Sequence, residues 1–198
     1  MIEKSIKGIK YRLDEERLTA EVIAKRNGYE GDIIIPETVV FKKVAYRVTS
    51  IKRGAFLDGS SLTSMVIGNS VTSIGEKAFY YCSSLTSIVI PDSVTSIGEK
   101  AFYGCSSLPS IVIGNGVTSI GDDAFYRCKS LTSIVIPDGV TSIGKGAFRS
   151  CEFLTSISYN GTIAQWKKIK FGEDWNAFVL TDVVHCTDRN VKVKVRWW

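Results

Sequence analysis

The chain has one histidine, two methionines and four prolines in 198 residues, and no apolar run approaching the ~18 residues that a membrane span needs. Each scarcity excludes something. A Ser–His or Cys–His nucleophile pair would have to use His185, which sits beside Cys186 with no glycine elbow and no acid at a recognisable spacing. His185 therefore reads as structural. Cysteine pairs at the two- to four-residue spacing of metal sites are missing as well. No catalysis, cofactor or metal is expected. Residues 1–12 lack the apolar core of a secretory leader, so the chain reads either as a protein kept inside the cell or as a mature or excised segment.

A continuous basic face is absent too. Lys and Arg against Asp and Glu number 12 against 9 over residues 1–61, 6 against 7 over 62–156 and 7 against 4 over 157–198. A nucleic-acid binder carries its positive charge along the surface that follows the phosphates. Here the surplus sits at the two ends, and no nucleic-acid partner is expected.

What is present in abundance is repetition. Val71, Val94, Val117 and Val140 open the same Val-Thr-Ser-Ile-Gly phrase, a period of 23 residues without drift. A fixed period of this size marks a solenoid, whose units bury their apolar faces only against one another. In the unit spanning residues 84–105, Leu85, Ile88, Ile90, Val94, Ile97, Ala101, Phe102 and Cys105 are the apolar positions whose types recur in neighbouring units. Phe56, Phe79, Phe102, Phe125 and Phe148 form one column; Ala55, Ala78, Ala101, Ala124 and Ala147 form another. The Ser-Ile-Val-Ile segment of residues 87–90 reads as a short parallel strand with Ile88 and Ile90 inward and Ser87 and Val89 outward. Residues 99–103 suffice for one helical or 3₁₀ turn beneath the strands.

Two apparent chemical signals are absorbed by the repeat. Cys82, Cys105, Cys128 and Cys151 stand 23 residues apart, and on the outer side of a curved solenoid adjacent turns splay beyond the ~7 Å that a disulfide tolerates. They read as buried free thiols acting as small hydrophobes. Residues 139–145 spell most of a phosphate loop, but Gly146 stands where Ser or Thr should ligate magnesium, and Val140 to Gly144 is the repeat phrase itself.

The ends differ from the middle. Ile9, Tyr11 and Leu13 alternate with Lys10 and Arg12, and after the polar residues 14–17 the alternation resumes at Leu18, Ala20 and Val22. This is a β-hairpin pattern, and residues 1–32 are assigned as a cap on the first repeat. Residues 33–39 match 88–94 position for position, but Thr49-Ser50-Ile51 arrives nine residues late. Residues 40–48 are therefore an insertion, read either as a hairpin on one face of the array, where repeat insertions often bind, or as more of the cap. Phe41, Lys42, Lys43 and Tyr46 are its candidate binding residues. At the other end, Thr162 and Gln165 make a capping box for a helix over 163–170, with Ile163, Trp166 and Ile169 facing the last repeat. Pairs at 179–180 and 183–184, then Val191, Val193 and Val195 alternating with Lys192, Lys194 and Arg196, suggest closing strands whose lysines discourage edge pairing. Residues 33–157 are thus the repeats, 158–198 the closing cap, and 1–198 one elongated domain.

The outward positions of the strands form a surface. Ser64, Ser87, Ser110, Ser133 and Ser156 make one column, flanked by Thr63, Thr86, Pro109, Thr132 and Thr155; Val66, Val89, Val112 and Val135 make a third, ending in Ser158. An aligned, uncharged, mildly apolar stripe suits docking of a protein. Equally, Ser and Val suit a stacked strand without any ligand.

The unit Leu85-x-x-Ile88-x-Ile90-Pro91-x-x-Val94-x-x-Ile97-Gly98-x-x-Ala101-Phe102-x-x-Cys105 resembles the BspA-like class of bacterial leucine-rich repeats, over about residues 33–157. Residues 159–162, Trp166, Trp175 and residues 184–188 are similar to the closing segment of such arrays, although Arg189 stands where that pattern expects Gly. The resemblance implies an α/β repeat solenoid, a right-handed superhelix with parallel strands on one face. It further implies a non-enzymatic, monomeric module of an exported or surface protein that adheres to host, extracellular-matrix or bacterial surface proteins. A structural spacer in a larger surface assembly, with no ligand of its own, is the alternative.

Overall fold

The structure is a computed structural model, described here over residues 1–196. Its first strands, β1 (Ile2–Ile6), β2 (Ile9–Asp14) and β3 (Thr19–Val22), form an antiparallel meander. The cap therefore has three strands rather than the two of a simple hairpin, because Ile2 and Ile6 continue the alternation backwards through a turn at Lys7 and Gly8, both with positive φ. β4 (Glu30–Ile35) opens the first repeat. β5 (Thr38–Phe41) and β6 (Val44–Ile51) form an antiparallel hairpin whose turn, Lys42 and Lys43, has φ of 49° and 66°. The inserted residues are thus a long forward extension of the strand ending in Ser50 and Ile51.

From there each repeat contributes one strand to each of two sheets. β7 (Ser61–Ile67), β9 (Ser87–Ile90), β11 (Ser110–Ile113), β13 (Ser133–Ile136) and β15 (Ser156–Tyr159) lie parallel in one sheet. β8 (Ser73–Ile74), β10 (Ser96–Ile97), β12 (Ser119–Ile120) and β14 (Ser142–Ile143) lie parallel in the other. Register advances one repeat per strand, so Ile74, Ile97, Ile120 and Ile143 face their own kind.

The back of each repeat is a turn, not the expected helical or 3₁₀ segment. Lys100 and Gly104 adopt left-handed conformations, with φ of 54° and 71°, and Lys77 with Tyr81 and Asp123 with Arg127 repeat the device. Consequently alternate amides point along the stack rather than back along the chain: Phe79 N donates to Ala101 O at 2.7 Å and Phe102 N to Ala124 O at 2.7 Å. Half of the turn amides thus bond between repeats, while those of Ala101, Tyr103 and Cys105 donate three residues back to Gly98, Lys100 and Phe102 O. Close approach has a sequence requirement. A Cβ on Gly121 would lie 2.6 Å from the Glu99 nitrogen, and one on Gly98 2.7 Å from the Glu76 nitrogen, so only glycine fits between successive turns.

Between the sheets and turns lies the core. Phe56, Phe79, Phe102, Phe125 and Phe148 stack with ring centres 5.0, 5.0, 5.2 and 5.3 Å apart and nearly parallel planes. A different aromatic closes each end of the column. Tyr29 packs 4.6 Å from Phe56, its hydroxyl donating to Ile23 O and accepting from Lys10 N, while Trp175 meets Phe148 edge-on at 6.2 Å. The four repeat cysteines are buried free thiols, and each donates to the phenylalanine carbonyl of the preceding repeat, as Cys105 does to Phe79 O at 3.2 Å. Burial pushes the Cys82 thiol up to about 12.

The ladder runs on past Ile157. α1 (Ile163–Trp166) carries the expected capping box at Thr162 and Gln165 but is shorter than the anticipated 163–170. It stops because β16 (Lys170–Phe171) pairs with β14 as the next rung, and Phe148 N donates to Trp175 O just as in earlier repeats. β17 (Val183–His185) adds to β15, and β18 (Asn190–Lys192) closes antiparallel on β17; residues 179–180 and 193–195 are not strands.

Three outcomes test this packing. Phe102→Ala should lower the unfolding free energy by about 3–5 kcal/mol in a denaturant titration, since it empties the middle of the column. Gly121→Ala should also destabilise, through forced separation of two backbones. All five cysteines should titrate as thiols in denaturant without reductant, while the four repeat cysteines resist alkylation in the folded protein at neutral pH; a count of three or fewer would mean that the column is oxidised.

Candidate functional site

Strand alternation decides what the first sheet shows to solvent. Ile88 and Ile90 turn into the core, so Ser87 and Val89 turn out, and the parallel register repeats this on each neighbour. Val66, Val89, Val112 and Val135 are 55%, 52%, 60% and 44% exposed, well above what buried strand residues show. They line an open depression of about 670 Å³. Ser87, Ser110 and Ser133 are exposed beside them, with Ser64 half-buried. The threonines of the flanking column are partly committed to the scaffold: Thr86 Oγ1 donates to Thr63 O at 3.1 Å and Thr132 Oγ1 to Pro109 O at 3.2 Å.

Three features of this face escape the sequence reading. Ile34 pairs with Val66, is 67% exposed and extends the valine column by one repeat; its alignment with Val89 carried the signal. Asp32 heads the serine column, accepting from Ser64 Oγ at 2.6 Å and Thr63 Oγ1 at 2.8 Å, and those bonds hold its carboxyl below the usual range. Asn69, Asp92, Asn115 and Asn160 border the depression on one side, with Asn115 N donating to Asp92 Oδ1 at 2.7 Å. At the far end His185 pairs with Ser158 and is exposed, its Nδ1 3.0 Å from Asn190 Oδ1. A histidine read as structural thus stands at the end of the exposed column, because Val184 takes the inward position.

On the turn side, Tyr80, Tyr103 and Tyr126 stack at 4.8 and 4.9 Å, with Arg127 and Arg149 over Tyr126 at 5.4 and 6.0 Å. These share the 23-residue period and were equally readable.

The inserted hairpin gives a mixed result. Lys42 and Lys43 are exposed at its tip, and Phe41 is half-buried with Lys4 Nζ and Lys42 Nζ at 5.4 and 5.6 Å from its ring centre. Tyr46 is a correction. It is 3% exposed and belongs to the core, because alternation along β6 turns Tyr46 and Val48 inward together. It offers no docking surface. The four site positions of the hairpin therefore do not form one exposed group, and none of them lines the depression under Val66, Val89, Val112 and Val135.

Among the described residues, no group of three or more His, Cys, Asp or Glu is placed to hold a metal ion. No helix among them is long and apolar enough to cross a membrane. The phosphate-loop lookalike contains β14, with Val140 and Ile143 buried, so its backbone is spent on the sheet rather than free to cradle an anion.

No curated protein matches the chain. Among solved structures, a leucine rich repeat protein of T. pallidum superposes with a TM-score of 0.71 at 26% identity, over 90% of this chain and 85% of that one. A leucine-rich repeat protein from Bacteroides ovatus gives 0.67 at 27% identity, over 90% of this chain but only 57% of its own length. The pneumococcal vaccine antigen PcpA gives 0.72 at 17% identity, over 94% of this chain and 50% of that one, a likeness of fold alone. The 23-residue rungs themselves fit the model described as the BspA type leucine rich repeat region, which matches residues 47–175 in six copies and so takes in the rung at Lys170 and Phe171. With that match spanning most of the chain, this protein belongs to the BspA-type leucine-rich repeat family.

Proposed function

We propose that the chain is a non-catalytic protein-interaction module of a secreted or surface-displayed bacterial protein, binding host, extracellular-matrix or other surface proteins through the exposed face of the first sheet. Residues 1–198 act in this reading as one elongated, monomeric domain wound as a right-handed superhelix. The observation that carries it is the column of Val66, Val89, Val112 and Val135, half exposed or nearly so and held in register on a stacked sheet. Monomers rarely leave aligned apolar side chains in water without a use. A rigid sheet also presents them at small entropic cost, since little is left to order on binding. Family membership supports the class of function, because leucine-rich repeats are generally protein-interaction modules.

A second reading, a spacer within a larger surface assembly, draws on the sameness of the units: β9, β11 and β13 carry the identical Ser-Ile-Val-Ile sequence, so no single repeat is marked out for a ligand.

Changing both Val89 and Val112 to Asp places two charges in the middle of the stripe and leaves the core untouched. Retention on immobilised matrix and cell-surface proteins should fall about tenfold or more, with an unchanged circular dichroism spectrum. Full retention by the folded variant rejects the strand face. Failure of the unaltered chain to bind any such protein favours the spacer.

A further inference from the structure

The two sheets do not end together. One extends through β3, β2 and β1 beyond the first repeat, whereas the other stops at β4, which pairs with β7 on one side and with no strand on the other among the described residues. Reaching Ile34 and Pro36 at that unfinished edge is an apolar cleft of about 380 Å³, lined also by Ile6, Ile9 and Val40. Ile34 and Val40 are exposed. An open strand edge beside an apolar cleft is the geometry by which an extended peptide joins a sheet, its backbone pairing with the edge and alternate side chains entering the cleft.

Charge narrows the occupant. Lys7 lines the cleft, Lys42 and Lys43 form the tip of the adjoining β5–β6 hairpin, and Lys4 and Lys42 flank Phe41. Among the described residues none of these four lysines lies within salt-bridge distance of a carboxylate, whereas Lys10 and Arg12 on the same meander are both paired with Glu3. Lys7 at the cleft and the three ammonium groups on the hairpins beside it outnumber the carboxylates of Glu30 and Asp32 on β4 and of Glu37 after it, and match a segment that carries an apolar side chain between carboxylates set toward the hairpins. They also disfavour a second copy adding its own closing edge. That edge brings Lys192 on β18, in a tail whose basic residues outnumber its acidic ones by 7 to 4. A lipid surface would meet the charge but leave the recessed cleft and the strand edge unused.

We propose that the free edge of β4 and the cleft beside it bind an extended acidic peptide of a protein partner, which adds a strand to the first sheet under the control of Lys4, Lys7, Lys42 and Lys43. This rests on the reading of the chain as a protein-interaction module and assigns it a second surface with its own chemistry.

The test uses the full chain and a fluorescein-labelled peptide of alternating Glu and Val, read by fluorescence anisotropy. Binding should saturate, weaken at high salt and fall about tenfold in a Lys7→Gln, Lys43→Gln variant that keeps its circular dichroism spectrum. A second arm holds even if that variant misfolds: proline at alternate peptide positions removes the amides that pair with β4, and should abolish binding. Equal affinity of the proline peptide overturns the proposal, as does equal affinity of the folded lysine variant. Binding of phosphatidylserine vesicles without binding of the peptide overturns it as well, and gives the lysines to a lipid surface. Absence of peptide binding in a chain whose retention on matrix proteins still depends on Val89 and Val112 removes the cleft alone. Peptide binding without that dependence removes the strand face alone.

Discussion

Every other feature of this molecule depends on like stacking on like at one rung per 23 residues. The phenylalanine rings lie within 5.0 to 5.3 Å of one another with nearly parallel planes, and the strands, turns and thiols keep step with them. A unit this small has one apolar flank toward each neighbour, so its stability comes from the interface and not from within. That constraint explains why glycine sits where successive backbones approach to under 3 Å of a would-be Cβ, and why cysteine occupies a site with space for a small side chain and a carbonyl in reach.

The ends follow from the same requirement. A stack of identical rungs would leave one phenylalanine face bare at each terminus. Tyr29 covers the first and satisfies its hydroxyl on the cap; Trp175, with Trp166 and Phe171 around it, covers the last. Capping is incomplete in one respect. The meander shields the core above the first repeat but extends only one of the two sheets, and among the described residues the β4 edge is left without a strand.

Function in such a scaffold has to reside in what the invariant positions leave over. The residues that recur most faithfully are buried, and the phosphate-loop lookalike and the cysteine column dissolve into them. What remains free to vary is the outward face of the strands, the turn-side tyrosines and arginines, and Lys4, Lys7, Lys42 and Lys43 of the two amino-terminal hairpins. Chemistry that needs converging titratable groups has little support here, because a stack aligns equal residues in columns and does not fold different ones toward a point. Recognition by extended surfaces has much.

Much of this was legible in the chain itself. The period, the inward and outward alternation at Ile88 and Val89, the thiol column and the capping box at Thr162 all follow from spacing and local chemistry, which act over a few residues or repeat without change. Tertiary structure decided the rest. The turns on the back face do not run on as a helix because every second amide finds its partner 22 residues away, a competition invisible in any one unit. Tyr46 is buried although its segment reads as a surface insertion, and helix α1 stops early because Lys170 is claimed by β14. The open edge of β4 depends on how two sheets of unequal length close over a single core, and no local pattern of residues records that.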